Sequence, residues 1–64
     1  MFYEFKTRKG DPILIPYQRI AYVTSYRGYA LLYDVDGNEF LCELKYEEFI
    51  LYLIENYTKQ VQKI

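Results

Sequence analysis

Apolar residues alternate with a period of two as far as Glu43, and from Leu44 they recur with a helical period. The change happens once, which restricts the chain to strands first and one helix last. In residues 2–7, Tyr3, Phe5 and Thr7 share one side, and Phe2, Glu4 and Lys6 the other. Gly10 marks a turn, and residues 13–15 form a short strand between Pro12 and Pro16. Flanking prolines cannot donate to a ladder, so this strand belongs at an edge. Residues 19–26 and 29–35 are rich in β-branched and aromatic side chains and read as strands joined by Arg27-Gly28. Asp36-Gly37 reads as a second tight turn into residues 38–43.

From residue 44 to about 62 an amphipathic helix is expected. Its stripe is Tyr46, Phe49, Ile50, Leu53, Ile54, Tyr57, Val61 and Ile64. Glu47 and Glu48 open the helix and Lys59 and Lys63 close it, as the helix dipole favours. No Ser, Thr, Asp or Asn precedes it, so packing is expected to fix its start. The sum is one α+β domain over residues 1–64: a small five-stranded antiparallel sheet, or a partly open SH3-like barrel, with one C-terminal amphipathic helix.

Two-residue loops at both tight turns would set Tyr26 against Tyr29, Tyr22 against Tyr33 and Ile20 against Val35. Phe40 would then face Tyr33, and Cys42 would face Leu31. One sheet face becomes Ile20, Tyr22, Thr24, Tyr26, Tyr29, Leu31, Tyr33, Val35, Phe40 and Cys42. It carries no charge and is expected under the helix. The other face carries an apolar strip of Val23, Leu32 and Leu41, fringed by Asp34, Glu39 and Glu43. On this register an acidic residue at Leu31 unfolds the chain and one at Leu32 does not.

The side-chain inventory narrows function. The 64 residues include nine Tyr, four Phe and one Cys, but no His and no Trp. A lone Cys42 excludes an internal disulfide and, without His, the usual zinc sites. On the uncharged face it is expected to be buried and unreactive. No phosphate loop, nucleophile elbow or buried carboxylate pair is present, so no enzyme activity and no cofactor or metal is expected. The net charge of −1 lacks the basic excess of a general nucleic-acid binder. The start of the chain has no signal-peptide pattern and residues 49–54 are too short to span a bilayer, so a cytoplasmic protein without membrane insertion is expected.

Tyrosine joins a large apolar face to a polar hydroxyl and suits interfaces. The leading reading is a non-enzymatic, regulatory protein-protein interaction module. Its contact residues would be Val23, Leu32, Leu41, Asp34, Glu39 and Glu43, facing a partner with a basic surface. Self-association is a further expectation, through residues 13–15 or through Leu51 and Tyr52 on the helix, because a domain this small lacks other staples. The alternative is nucleic-acid binding through Tyr17, Tyr26 and Tyr29 with Arg8, Lys9, Arg19 and Arg27.

Residues 5–59 resemble the flagellar FlbD/SwrD family of short bacterial proteins. The matching pieces are Arg8-Lys9-Gly10-Asp11-Pro12, the apolar triplet 13–15, Pro16-Tyr17-Gln18-Arg19-Ile20, the turn Asp36-Gly37-Asn38, and Glu47-Glu48-Phe49-Ile50. The resemblance implies a non-enzymatic accessory role near the flagellar motor, with no catalytic residues to carry over. The tyrosine load departs from the family. The strand order is also similar to part of a LytTR domain and to small archaeal chromatin proteins.

Overall fold

Tyr26-Arg27-Gly28-Tyr29 turns the chain as its sequence demands. In a computed structural model, which describes residues 1–61, Arg27 and Gly28 have φ of 52° and 88°. Both central residues are left-handed, which is the type I′ hairpin turn. It joins β3 (Ile20–Tyr26) to β4 (Tyr29–Asp34) and sets Tyr26 opposite Tyr29 and Tyr22 opposite Tyr33, as expected. β5 (Glu39–Lys45) completes a three-stranded antiparallel sheet in the order β3-β4-β5. β1 (Phe2–Lys6) and β2 (Pro12–Pro16) form a separate two-stranded sheet, and a 3-10 turn at Tyr17–Arg19 leads from it into β3. Two sheets replace the expected single sheet or barrel. One isolated bridge, Thr7 with Cys42, and the bond from the Arg8 N–H to the Leu41 carbonyl (2.9 Å) connect them.

The second hairpin departs from expectation. Asp34 and Asn38 close it through the Asp34 N–H to the Asn38 carbonyl (3.0 Å), leaving a three-residue loop of Val35, Asp36 and Gly37. Gly37 has φ 86° and donates its N–H to the Asp34 carbonyl (3.1 Å), a turn followed by a left-handed glycine bulge. The extra loop residue slips β5 by one position. Leu32 therefore faces Phe40 and Leu31 faces Leu41, instead of Tyr33 with Phe40 and Leu31 with Cys42. A one-residue slip exchanges faces. A bulge at Ala21 makes Ile20 face Asp34 rather than Val35, so Ile20 and Val23 both turn toward the core.

The buried face of β4 is thus Ala30, Leu32 and Asp34, and Leu32 has no exposed surface. Tyr22, Tyr26, Tyr29, Leu31 and Tyr33 point the other way, so the face expected under the helix is, on β3 and β4, the outer one. β5 keeps its expected parity, with Cys42 buried and Phe40 half-buried. Tyr3, Phe5, Ile15 and Phe49 complete the core. Phe5 meets Phe49 and Phe40 edge-on, with ring centroids 5.4 and 6.4 Å apart.

α1 (Tyr46–Val61) begins directly after β5. Its start has a polar partner after all. The Glu48 carboxylate accepts the Lys45 backbone N–H (3.2 Å), half of a capping box, and the Tyr46 N–H reaches the Gly28 carbonyl (2.9 Å). Lys63 and Ile64, the last members of the expected helix pattern, lie outside the described residues.

β1 explains where the helix sits. Residues 1, 3, 5 and 7 bond across to 17, 15, 13 and 11, as the Tyr17 N–H to Met1 carbonyl (2.9 Å) and Thr7 N–H to Asp11 carbonyl (3.0 Å) bonds show at either end. Pro12 and Pro16 occupy the alternate positions, where a missing N–H costs the ladder nothing. On the opposite edge of β1, helix side chains take the place of a strand. The Tyr52 hydroxyl accepts the Glu4 N–H (3.2 Å) and donates to the Glu4 carbonyl, while Gln60 Nε2 donates to the Phe2 carbonyl (3.0 Å). Tyr52, expected to be partly exposed, is half-buried, and its hydroxyl is occupied by the Glu4 backbone.

Leu32→Asp buries an unpaired charge and costs more than about 4 kcal/mol, enough to unfold a domain of this size. Leu31→Asp leaves a cooperative fold. Urea melts followed by far-UV circular dichroism separate the two.

Candidate interaction surface

The outer face of the three-stranded sheet gathers Tyr22, Thr24 and Tyr26 from β3, Tyr29, Leu31 and Tyr33 from β4, and Glu39 and Leu41 from β5. Tyr22 and Tyr26 are 54% and 48% exposed, too much for core residues. Cross-strand pairing builds the surface. Tyr22 stacks on Tyr33 with centroids 4.6 Å apart and planes 19° from parallel. Leu31 and Leu41, paired across β4 and β5, form its apolar centre. With Tyr26 and Glu39 they line a shallow depression of 370 Å³.

Two arginines flank the rings. The β1–β2 loop is held against β5 by the Arg8 backbone bond to Leu41, and this brings the Arg8 guanidinium to 4.0 Å from the Tyr29 ring centre. Arg27, in the tight turn, sits 5.5 Å from the ring centre of Tyr26. On the acidic side, Glu39 is the Cα partner of Tyr33, and a hydrogen bond to its carboxylate raises the Tyr33 phenol above its ordinary value. The face therefore has an aromatic and aliphatic centre with charges of both signs around it.

The residues expected from sequence are redistributed. Of the leading set, Leu32 and Asp34 are buried and Val23 is half-buried against the core. Only Leu41, Glu39 and the exposed Glu43 remain toward solvent. Of the alternative set, Arg8, Tyr26, Arg27 and Tyr29 come together on the outer face, with Lys9 exposed in the neighbouring loop. Arg19 is engaged elsewhere, hydrogen-bonded to Asp36 and 3.9 Å from the Asp34 carboxylate. Tyr17 lies on the helix side, its ring 6.1 Å from Tyr3 and 5.5 Å from Tyr57. Tyr22, Leu31 and Tyr33 were missed as surface residues because an uncharged face was read as a buried one.

Asp34 is a structural carboxylate. Oδ1 accepts the backbone N–H groups of Asp36 and Asn38, both at 2.9 Å, and Oδ2 accepts Asn38 Nδ2 at 2.8 Å. These bonds, led by that from the Asn38 side chain and aided by Arg19, hold its pKa below the ordinary aspartate value despite burial. Cys42 is fully buried, with Sγ 3.6 Å from the Phe40 carbonyl, and burial pushes its thiol up to about 11. Among the described residues no group of three or more His, Cys, Asp or Glu is placed to hold a metal, and no helix is long and apolar enough to cross a membrane.

Because the Asp34 pKa is depressed on folding, its contribution is present above the unfolded value and is lost as pH falls through the folded one. The amide resonance of Asn38, which has no carboxylate of its own, therefore titrates below about pH 3.9, the free aspartate value, and Asp34→Asn abolishes that titration. Cys42 resists alkylation by iodoacetamide in the native protein at pH 8 and reacts fully in denaturant; mass spectrometry reads both states.

No family model, curated protein or solved structure matches the chain.

Proposed function

We propose that this protein is a small, non-enzymatic, cytoplasmic interaction module that binds another protein through the outer face of its three-stranded sheet. The observation that carries the reading is the contiguous patch in which the exposed Tyr22 and Tyr26 adjoin the half-buried Tyr29, Leu31, Tyr33 and Leu41. Tyrosines give large contact area at low conformational cost and can donate hydrogen bonds at the rim of an otherwise apolar patch. Arg8 and Arg27 against Glu39 and Glu43 supply charges of both signs, which suits a protein partner with mixed polarity better than a uniformly anionic one. This reading keeps the kind of function expected from the sequence and assigns it to the opposite face, with a less acidic rim. The resemblance to the flagellar FlbD/SwrD family points to an accessory, regulatory role near the motor. An inhibitor covering a groove of an enzyme would use the same surface.

A second reading is single-stranded nucleic acid, favoured by one observation: Arg8 and Arg27 each lie over a tyrosine ring on an open sheet. Stacking platforms flanked by cations bind unpaired bases. Net charge and Glu39 oppose it.

Affinity capture with tagged protein, with and without nuclease, is the test. A partner protein is retained after nuclease, and Tyr26→Ala with Tyr29→Ala weakens its binding by about tenfold or more without changing the circular dichroism spectrum. Fluorescence titration with an oligothymidylate gives no saturable binding. Oligothymidylate binding that falls steeply with salt and is lost in Arg8→Ala transfers the reading to nucleic acid.

A further inference from the structure

The helix carries more apolar surface than the sheets cover. At about 100° per residue, the apolar and half-buried positions from Tyr52 through Phe49 and Leu53 to Ile54 span an arc of about 200°. The half centred on Phe49 faces the core, with Tyr52 and Leu53 beside it. The other half is a ridge of Ile50, Ile54, Tyr57 and Val61. Ile54, Tyr57 and Val61 are 57%, 41% and 47% exposed, and Leu51 beside them is 60% exposed. The ridge widens toward Tyr17, which with Tyr3, Leu53, Ile54, Tyr57 and Thr58 lines a shallow groove of 280 Å³.

We infer that this ridge pairs with the same ridge of a second copy of the chain, as an antiparallel two-fold helix pair. Three observations select a second copy. The first is spacing: residues 50, 54, 57 and 61 follow the four-three-four interval of a coiled-coil seam, with Ile54 and Val61 at a positions and Ile50 and Tyr57 at d. In an antiparallel pair a meets d of the other chain, so Ile54 of one copy meets Tyr57 of the other, and Ile50 meets Val61. The seam is thus complementary to itself about an axis between residues 54 and 57.

The second is charge. The flanking e and g positions are Leu51, Leu53, Thr58 and Gln60, none charged, while Glu48, Glu55 and Lys59 lie on the far side of the helix. Such a seam repels no copy of itself and offers no charge code for a different partner. Glu47 stands at an a position, where a parallel pair would set it against its own copy; the antiparallel pair does not.

The third is stability. The free Cys42 forms no disulfide, and association adds to the stability of a domain whose core is this small without being required for its fold. A standard interface takes about 800 Å² from each partner, roughly a sixth of the 4754 Å² this chain exposes.

Sedimentation velocity of the full chain from about 1 µM to about 1 mM tests the proposal. The wild type is a dimer over part of this range, and Ile54→Lys weakens dimerisation more than about a hundredfold with its circular dichroism unchanged. Val61→Lys, in the last turn, gives the same loss and serves if Ile54→Lys unfolds. Mixing Ile54→Lys with Tyr57→Glu chains restores a heterodimer, whereas mixing Ile54→Lys with Ile54→Glu chains does not. A wild type that stays monomeric throughout, or rescue by the residue 54 pair instead of the 54 and 57 pair, overturns it.

Discussion

The Asp34 carboxylate decides which face of the sheet meets water. Its two oxygens gather the N–H groups of Asp36 and Asn38 and the Asn38 amide, and so define a three-residue loop closed by Asp34 and Asn38. A two-residue loop would have closed at Val35 and put Tyr33 opposite Phe40. With the longer loop, Leu32 lies opposite Phe40, and the inward parity of β5 carries Ala30, Leu32 and Asp34 into the core. Everything on the outer face, from the Tyr22–Tyr33 stack to the Leu31–Leu41 centre, follows from that one residue of loop length. The buried carboxylate is tolerated because its oxygens are satisfied by the loop it defines.

The β1–β2 loop repeats the construction. Thr7 Oγ1 accepts the Asp11 N–H at 3.1 Å, Gly10 has φ 90°, and Gly10 donates its N–H to the Thr7 carbonyl at 2.8 Å. In both loops a side-chain oxygen stands three residues before a left-handed glycine and four before the residue whose N–H it binds. This pattern was legible in Thr7…Gly10-Asp11 and Asp34…Gly37-Asn38. Asp36-Gly37 was instead read as the two central residues of a tight turn, because that dipeptide is the stronger short-range signal. Arg27-Gly28, weaker by that criterion, is the true two-residue turn. The strands, their order and the terminal helix were readable from periodicity alone, since periodicity does not depend on register. The face assignment was not, because a half-period error leaves every alternating strand looking equally good.

The helix shows a related limit. Its apolar arc is too wide for a wheel to say which part is buried. Tyr52, placed outside the stripe, is drawn inward by the unpaired backbone of Glu4, a polar demand that hydrophobic patterning does not register. Asn56 and Gln60 follow it to half-buried positions, the latter by bonding the Phe2 carbonyl. The helix is rotated so that its polar side chains finish the edge of β1, and Ile54, Tyr57 and Val61 are displaced toward solvent. Satisfying a strand edge here takes precedence over burying every aliphatic residue, as expected when an orphaned backbone group costs about as much as a buried methyl or two contributes.

These two departures leave the chain with two apolar surfaces on different sides. The tyrosine face is the outside of the three-stranded sheet, whereas the helix lies against its inside. A contact through the helix ridge therefore does not obstruct the tyrosine face. In the proposed dimer each copy keeps its tyrosine face free, so the assembly carries two such faces. Binding through two linked sites converts the second contact into an intramolecular one and raises apparent affinity without any new residue. For the proposed protein partner, a patch of modest depth lined by tyrosines rather than by a closed pocket gains affinity most readily by this route.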